Sequence, residues 1–214
     1  MIAPQGMVFV IDDDKSIRSS LKRLLSAADY QTEVFASASD FLSRALHPGP
    51  ACVIVDVKMP GLDGIEFQKT LIKRRREEQL VFVTGHGNIP MCAKVMKAGA
   101  VDFLPKPFKA RELLQCVERA LERSTDQRRH AAEQNEARRL LDTLTPREFE
   151  VMQLVITGML NKQVGFELGM AEKTVKVHRG RVTQKLGATS VAELVRLAQK
   201  AGVAGISNQY KTKV

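Results

Sequence analysis

The most constraining feature of the sequence is an apolar run, residues 52–55, that ends on a single acid, Asp56, and leads at once into a loop with Pro60 and Gly61. A short apolar run bounded by turn residues is typical of a strand buried on both faces of a parallel sheet. In such sheets, chemistry collects outside the carboxyl ends of the strands. The pattern therefore predicts that Asp56 lies at a functional sheet edge, although an isolated aspartate before a turn would indicate only that turn.

Three further strand-like runs end in polar groups that complement Asp56. The runs are residues 7–11, 80–83 and 101–104, and the groups that follow them are Asp12, Asp13 and Asp14, then Thr84, and then Lys106. Carboxylates that lie close together repel one another unless a hard divalent cation sits among them, and such oxygen ligands suit Mg²⁺. A Mg²⁺ held there also accepts phosphoryl oxygens, and a carboxylate can form an aspartyl phosphate. Asp56 is the best candidate for that nucleophile.

These residues, together with the motif at 84–91, resemble those of two-component response regulators and are most similar to the FixJ subgroup. The resemblance implies that Asp56 accepts the phosphoryl group. It also implies a Mg²⁺ site in which Asp13 is a direct ligand, Asp12 acts largely through water, and Lys58 contributes its backbone carbonyl. In the same way, Thr84 and Lys106 correspond to the pair that contacts the phosphoryl group.

The first part of the chain alternates between predicted strands and helices. Five strands with intervening helices predict an α/β, doubly wound, five-stranded parallel sheet, the flavodoxin-like fold of receiver domains, with its switch point between the first and third strands. Apolar spacing from Phe41 to Leu46 predicts that the second helix continues almost to Pro48. By resemblance, Phe103 is the aromatic residue that changes rotamer on activation.

The fifth helix has no obvious end. Its apolar face disappears after Leu121, and residues 122–139 contain five arginines, four acids and neither glycine nor proline. We interpret this segment as a solvated continuation of the helix, so the predicted domains are a receiver at 1–121, a helical linker at 122–142 and a DNA-binding domain at 143–214. A dimeric coiled coil remains an alternative, which polar residues on its seam disfavour.

The last third predicts an all-α helix-turn-helix domain. Thr145 and Glu148 form a capping-box pattern that opens one helix, and helices at 161–168 and 172–186 are separated by a turn containing Gly169. This layout alone would also fit any small helical bundle, so the charge pattern has to decide between them.

From Lys173 onward, the helix at 172–186 carries only positive charges. No acid occurs between residues 173 and 186, whereas an ordinary solvated helix mixes signs, so the pattern favours phosphate neutralisation. From residue 143 onward there are 11 lysines and arginines against 5 acids. The segment resembles the LuxR-type recognition signature, although Gly180 and Ala171 depart from it, and Lys176 and Val177 would then enter the major groove. The predicted DNA-contacting residues are Lys173, Thr174, Lys176, Val177, Arg179, Arg181 and Lys185.

The function predicted from these patterns is a phosphorylation-activated transcription regulator rather than an enzyme. The resemblance implies a sensor histidine kinase, double-stranded promoter DNA and RNA polymerase as partners, with a homodimer forming on phosphorylation. No apolar run reaches the length of a membrane span, so we expect a cytoplasmic protein. The alternative is a haloacid-dehalogenase-like phosphatase with Asp12 as nucleophile, which Lys15 and Ser16 fit poorly.

Overall fold

The computed structural model of the chain describes residues 6–85 and 89–205. The part of the predicted 84–91 motif that spans residues 86–88 lies outside the described residues. The chain divides into two compact units, residues 1–128 and residues 129–214. In the part of the chain that is described, no helix combines the length and the apolar character needed to cross a membrane.

Among the described residues of the first unit, five strands form one parallel sheet. The strands are β1 (Met7–Ile11), β2 (Gln31–Phe35), β3 (Ala51–Asp56), β4 (Gln79–Thr84) and β5 (Asp102–Pro105). The helices that follow them are α1 (Lys15–Ala27), α2 (Ala38–Ser43), α3 (Gly64–Lys73), α4 (Ile89–Lys97) and α5 (Ala110–Leu141). The strand order is β2-β1-β3-β4-β5, which confirms the doubly wound sheet and its switch point between the first and third strands.

Both faces of the sheet are covered, which explains the unbroken apolar runs in the sequence. Every residue of β3 and β4 is buried. One face packs aromatic residues such as Phe41 and Phe67, and the other packs aliphatic residues such as Leu25 and Leu113. Full burial of each such side chain stabilises the fold by roughly 1.5–3 kcal/mol. The buried faces hold the strands in register, so their carboxyl ends reach one edge together.

Helix α2 is shorter than its apolar pattern predicts. The prediction that it continues to Leu46 was wrong, because the helix ends at Ser43, the next residue is extended, and Leu46 is 70% exposed. The guanidinium of Arg44 instead lies 3.9 Å from the ring centre of Phe9 and 4.7 Å from that of Phe41. A cation–π contact of this kind competes with helix continuation, and apolar spacing gives no sign of it.

Helix α5 continues through both units as one helix, as predicted for the linker. Its burial does not stop at Leu121, because the Ser124 hydroxyl is buried and accepts a hydrogen bond from the Ala51 amide at 3.1 Å. Near its end, Ala137 and Leu141 are buried in the core of the second unit. The second half of α5 is therefore not uniformly solvated, although the sequence predicted that it would be.

The described part of the second unit, which ends at residue 205, also contains four shorter helices: α6 (Pro146–Val155), α7 (Asn161–Leu168), α8 (Glu172–Leu186) and α9 (Val191–Ala201). The predicted capping box is present. The Glu148 carboxylate accepts a hydrogen bond from the Thr145 amide at 2.9 Å, and the Glu148 amide donates one to the Thr145 hydroxyl. Gly169 ends α7 in the left-handed conformation, with φ 64°. These features confirm the helix-turn-helix arrangement of α7 and α8.

We expect Gly64→Ala to lower the free energy of unfolding of the first unit by about 1–3 kcal/mol, because overpacking displaces backbone. A Cβ at Gly64 would lie 2.5 Å from the Asp56 carbonyl oxygen and 3.0 Å from the Val57 Cα. Urea unfolding of the full chain, followed by amide exchange in β3, measures the change. Gly85→Ala is the control because its Cβ would meet no atom of the described residues within 4 Å, and equal losses of stability in both variants would contradict the prediction.

Candidate functional site

The carboxyl ends of β1, β3 and β5 bring Asp12, Asp56 and Lys106 together. The Lys106 Nζ lies 2.7 Å from Asp56 Oδ2 and 2.8 Å from Asp12 Oδ2. Asp12 is buried and Asp56 is only 9% exposed, so both carboxylates have lost most of their hydration. The shared ammonium compensates for that loss by pairing with both of them.

Backbone amides hold the other oxygen of each carboxylate. Asp12 Oδ1 accepts from the amide of Asp14 at 2.9 Å, and Asp56 Oδ1 accepts from the amide of Lys58 at 3.0 Å. The Lys58 side chain is exposed, so Lys58 contacts the site through its backbone. Asp14 also caps α1 by accepting from the amides of Ser16 and Ile17. The two loops that follow β1 and β3 therefore fix the orientation of both carboxylates.

Arg18 is a residue of this site that the sequence analysis missed. Its guanidinium donates to the carbonyl oxygens of Asp12 at 2.7 Å and Asp13 at 2.9 Å. A cation on these carbonyls closes the loop between β1 and α1 and adds a positive charge beside the acidic residues. The only signal in the sequence was an arginine one turn into a helix that follows three aspartates, and that position is ordinary for a solvated residue.

Thr84 and Phe103 lie where the resemblance placed them along the sheet. Thr84 ends β4 and is 1% exposed, and its carbonyl accepts from the Lys106 amide at 2.8 Å. Its position beside Pro105 in the β4–β5 register brings it next to the lysine. Phe103 is half-buried on β5 and packs against the aromatic core. A residue so placed links the sheet interior with the surface.

Asp13 is not gathered with the other two acids. Its side chain is exposed, and among the described residues no three side chains of the histidine, cysteine, aspartate or glutamate types stand close enough to hold a metal ion. The arrangement differs from the predicted trio of carboxylates because Lys106 supplies the positive charge between Asp12 and Asp56. The donors themselves suit Mg²⁺ in kind, because they are carboxylate and carbonyl oxygens.

Burial dominates the electrostatics at the end of β1. It raises the pKa of Asp12 above its ordinary value, although the hydrogen bonds from Lys106 and from the Asp14 amide oppose that change. Burial also lowers the pKa of Lys106, but the hydrogen bonds to Asp12 and Asp56 outweigh it, so the net pKa is raised. Lys106 is therefore a firmly charged ammonium at neutral pH.

Helix α8 presents the predicted basic face. Val175, Val182 and Leu186 are buried against the rest of the second unit. The predicted contact residues Lys173, Thr174, Lys176, Val177 and Arg181 are exposed, and Val177 is 49% exposed although it is apolar. Arg179 is half-buried and donates to the side chain of Asn161 at 3.0 Å. A Cβ at Gly180 would meet no atom within 4 Å.

Lys185 is engaged inside the second unit, which the sequence did not indicate. Its Nζ lies 2.6 Å from Glu148 Oε2 and 3.0 Å from the Thr143 carbonyl oxygen. The Glu148 side chain is 3% exposed, so this pair ties the end of α8 to the capping box of α6. The hydrogen bond from Lys185, with that from the Thr145 amide, lowers the pKa of Glu148 from 4.5 to about 2.

The first unit has a sheet edge that brings together Asp12, Asp56 and Lys106, and the second unit has a helix with a basic face, a combination that characterises the response-regulator class. The family model "Response regulator receiver domain" matches residues 8–118, and "Bacterial regulatory proteins, luxR family" matches residues 142–198. Nodulation protein W of Bradyrhizobium diazoefficiens is 43% identical over 93% of this chain and 88% of its own length.

Two other comparisons agree with these matches. The transcriptional regulatory protein FixJ of Azorhizobium caulinodans is 38% identical over 92% of this chain and 93% of its own length. A solved structure of the response regulator StyR has 44% identity and a TM-score of 0.80, covering 92% of this chain and 99% of that one. This chain belongs to the response regulators that join a receiver domain to a LuxR-type DNA-binding domain. Its function is phosphorylation-dependent regulation of transcription.

We expect Lys185→Met to raise the pKa of Glu148 from about 2 toward 4.5, because the hydrogen bond that depresses it is lost. Since the folded-state pKa lies below the ordinary value, the pair stabilises the fold fully above pH 4.5 and loses this effect as the pH falls toward 2. Carboxyl NMR titration measures the pKa, and amide exchange in α6, corrected for intrinsic rates, measures the loss of stability at neutral pH. Lys173→Met is the matched control, and an unchanged Glu148 pKa in Lys185→Met would contradict the pairing.

Proposed function

We propose that Asp56 is the phosphoacceptor, and the observation that carries this proposal is the Lys106 ammonium paired with both Asp56 and Asp12. A carboxylate oxygen of Asp56 attacks the phosphorus of a phosphohistidine on a sensor kinase. The new O–P bond forms as the P–N bond breaks, and the imidazole leaves with its electron pair. Lys106 and Thr84 would pair with the phosphoryl oxygens as negative charge accumulates on them.

We propose Mg²⁺ as the cofactor of this step. Asp13, Asp56 and the Lys58 carbonyl would hold it, with Asp12 acting through water. A bound Mg²⁺ supplies positive charge to the phosphoryl oxygens. Asp12 and Lys58 orient Asp56 through the shared lysine and the backbone amide, and Arg18 fixes the carbonyl oxygens of Asp12 and Asp13.

The proposed switch runs from Thr84 to Phe103. When the hydroxyl of Thr84 turns toward the phosphoryl group, the half-buried ring of Phe103 gains space to move inward from the surface. The resulting change in the α4–β5 surface would drive homodimer formation, and a two-fold dimer would recognise two half-sites in promoter DNA, where RNA polymerase is the further partner. Phe103 supports this proposal because it already packs partly against the core.

We propose that residues 122–142 connect a receiver domain at 1–121 to a DNA-binding domain at 143–214. The family matches support this division because they end at residue 118 and resume at residue 142. Within the DNA-binding domain, Lys176 and Val177 would read base edges, and Lys173, Thr174, Arg179 and Arg181 would bind phosphates. Lys185 joins this contact set only at the expense of its ion pair with Glu148.

We expect wild-type protein to gain one phosphoryl group from acetyl phosphate when Mg²⁺ is present, and Asp56→Asn to gain none, because the amide is not a nucleophile for this step. Intact mass measures the modification. Asp63→Asn is the matched control, because Asp63 caps α3 in the neighbouring loop and asparagine caps equally well. Labelling of Asp56→Asn at the wild-type level would place the nucleophile on another residue.

We expect Lys176→Ala to reduce discrimination between a selected duplex and random DNA by about 1–3 kcal/mol, because a base contact carries specificity. Arg181→Ala should weaken binding to both duplexes by the same factor, because a phosphate contact contributes affinity without sequence information. It should also reduce the slope of log affinity against log salt concentration by about one unit. Binding titrations at several salt concentrations, on a duplex selected from a random pool by the wild type, measure both effects. Gln184→Ala is the control. Equal losses of affinity for both duplexes in Lys176→Ala would contradict the assignment of Lys176 to a base contact.

A further inference from the structure

A cavity of about 270 Å³ lies in the first unit at the end of the sheet opposite Asp56. It is lined by residues just before β3 and β4 begin, by the turn that ends α3, and by α5. Four of its lining residues are arginines, and we call it the arginine cavity: Arg74, Arg75, Arg76 and Arg128. A run of arginines at the end of a helix is ordinarily a solvated helix end, but here all three line a cavity.

The arginine cavity has an excess of positive charge. Its acidic lining residues are Glu77 and Glu78, so four guanidiniums face two carboxylates. Glu78 is already shared, because Arg76 Nε donates to both of its oxygens at 3.1 Å and Arg44 lies 3.6 Å away. Within the described residues, the Nε and one terminal nitrogen of Arg44 are buried and have no hydrogen-bond acceptor. The carboxylates therefore do not neutralise the cluster.

Two of the four guanidiniums, those of Arg76 and Arg128, are held in place before any ligand binds. Arg128 donates to the carbonyl oxygens of Pro48 at 3.1 Å and His47 at 3.2 Å, and its contact with Glu77 is longer, at 3.7 Å. An incoming anion can replace that long contact at small cost while the two carbonyls keep Arg128 in position. The burial of His47, with the charges of Arg44 and Arg128, lowers its pKa, as expected for a positive environment.

The turn at Arg75 supports a functional role for its side chain. Arg75 is in the left-handed conformation, with φ 52°, and its amide donates to the Ile72 carbonyl at the end of α3. Helix ends of this type favour glycine, because other residues are strained there by of order 1 kcal/mol or more. The chain keeps an arginine at a position where glycine would be more stable, beside three other arginines.

We propose that the arginine cavity binds a small anion with two or more linked phosphate groups, either free or as the phosphate end of a nucleotide. Guanidiniums match phosphate oxygens with paired hydrogen bonds, and several of them complement a multiply charged anion. The cavity lies just below the usual size range of small-molecule sites, so it accommodates the phosphates rather than a whole nucleotide. Ser124 and Arg128 belong to α5, so the bound anion also strengthens the packing of residues 124–128 on the sheet.

The test is titration of the full-length wild type with sodium pyrophosphate in EDTA, read by calorimetry and by the His47 imidazole NMR signal, which His47→Gln assigns among four histidines. We expect binding of one equivalent at this site, with a shift of the His47 signal. The double variant Arg74→Gln/Arg75→Gly should bind pyrophosphate at least about tenfold more weakly, because charged hydrogen bonds are lost. This variant should fold, since glycine is favoured at residue 75.

Three comparisons separate the cavity from other basic or phosphate-binding surfaces. Arg181→Ala removes a cation from α8 and should leave the His47 response unchanged. Asp56→Asn should also bind normally, so failure of the proposed phosphoacceptor would leave this proposal standing. Orthophosphate and sulfate should bind at least about tenfold more weakly than pyrophosphate. ADP should bind with the same affinity as pyrophosphate if its phosphate end is what the cavity recognises. A His47 signal that does not move at saturation, equal binding by the double arginine variant, or equal binding of sulfate would overturn the proposal.

Discussion

The sheet edge that carries Asp56 depends on one ammonium that pairs with two buried carboxylates. Asp12 and Asp56 end neighbouring strands, whereas Lys106 follows β5, with β4 between it and β3. Only a long side chain can cross β4 and reach both acids. Two buried carboxylates repel each other more strongly than they would in water, and the shared ammonium offsets that repulsion. The loops after β1 and β3 orient the two carboxylates, and the Thr84 carbonyl binds the Lys106 amide, so the neighbouring backbone supports this contact.

The fold and the central residues of the site were predictable because each depends on local pattern. Buried strands give unbroken apolar runs, and the residue after each run must lie at the carboxyl edge. That rule alone predicts that Asp12, Asp56, Thr84 and Lys106 lie at one edge of the sheet. The doubly wound strand order then followed from the alternation of strands and helices. The helix-turn-helix was predictable for the same reason. Its capping box, its turn glycine and its positively charged helix face all lie within about 45 residues of sequence.

The remaining features depend on partners that are distant in sequence. Nothing near Lys185 in the sequence indicates that Glu148 accepts a hydrogen bond from its ammonium, and nothing near Arg44 indicates that its guanidinium stacks on Phe9. The charge pattern of a helix is the same whether one of its lysines faces solvent or pairs with a buried carboxylate, so the pattern cannot distinguish the two cases. The apolar spacing that extended α2 to Leu46 failed for the same reason, because an arginine stacked on the core can replace an aliphatic residue. Such pairings are fixed by tertiary contact.

Gly180 gives the recognition helix a site at which binding preference can diverge during evolution. It follows Lys176 by one helical turn, and a side chain added there would meet open space. Almost any substitution would also improve helix propensity, by about 0.5–1 kcal/mol for alanine. At Val175 or Val182, by contrast, a change would disturb the buried core. After gene duplication, a single substitution at Gly180 could therefore redirect one copy to new promoters while the domain stayed folded.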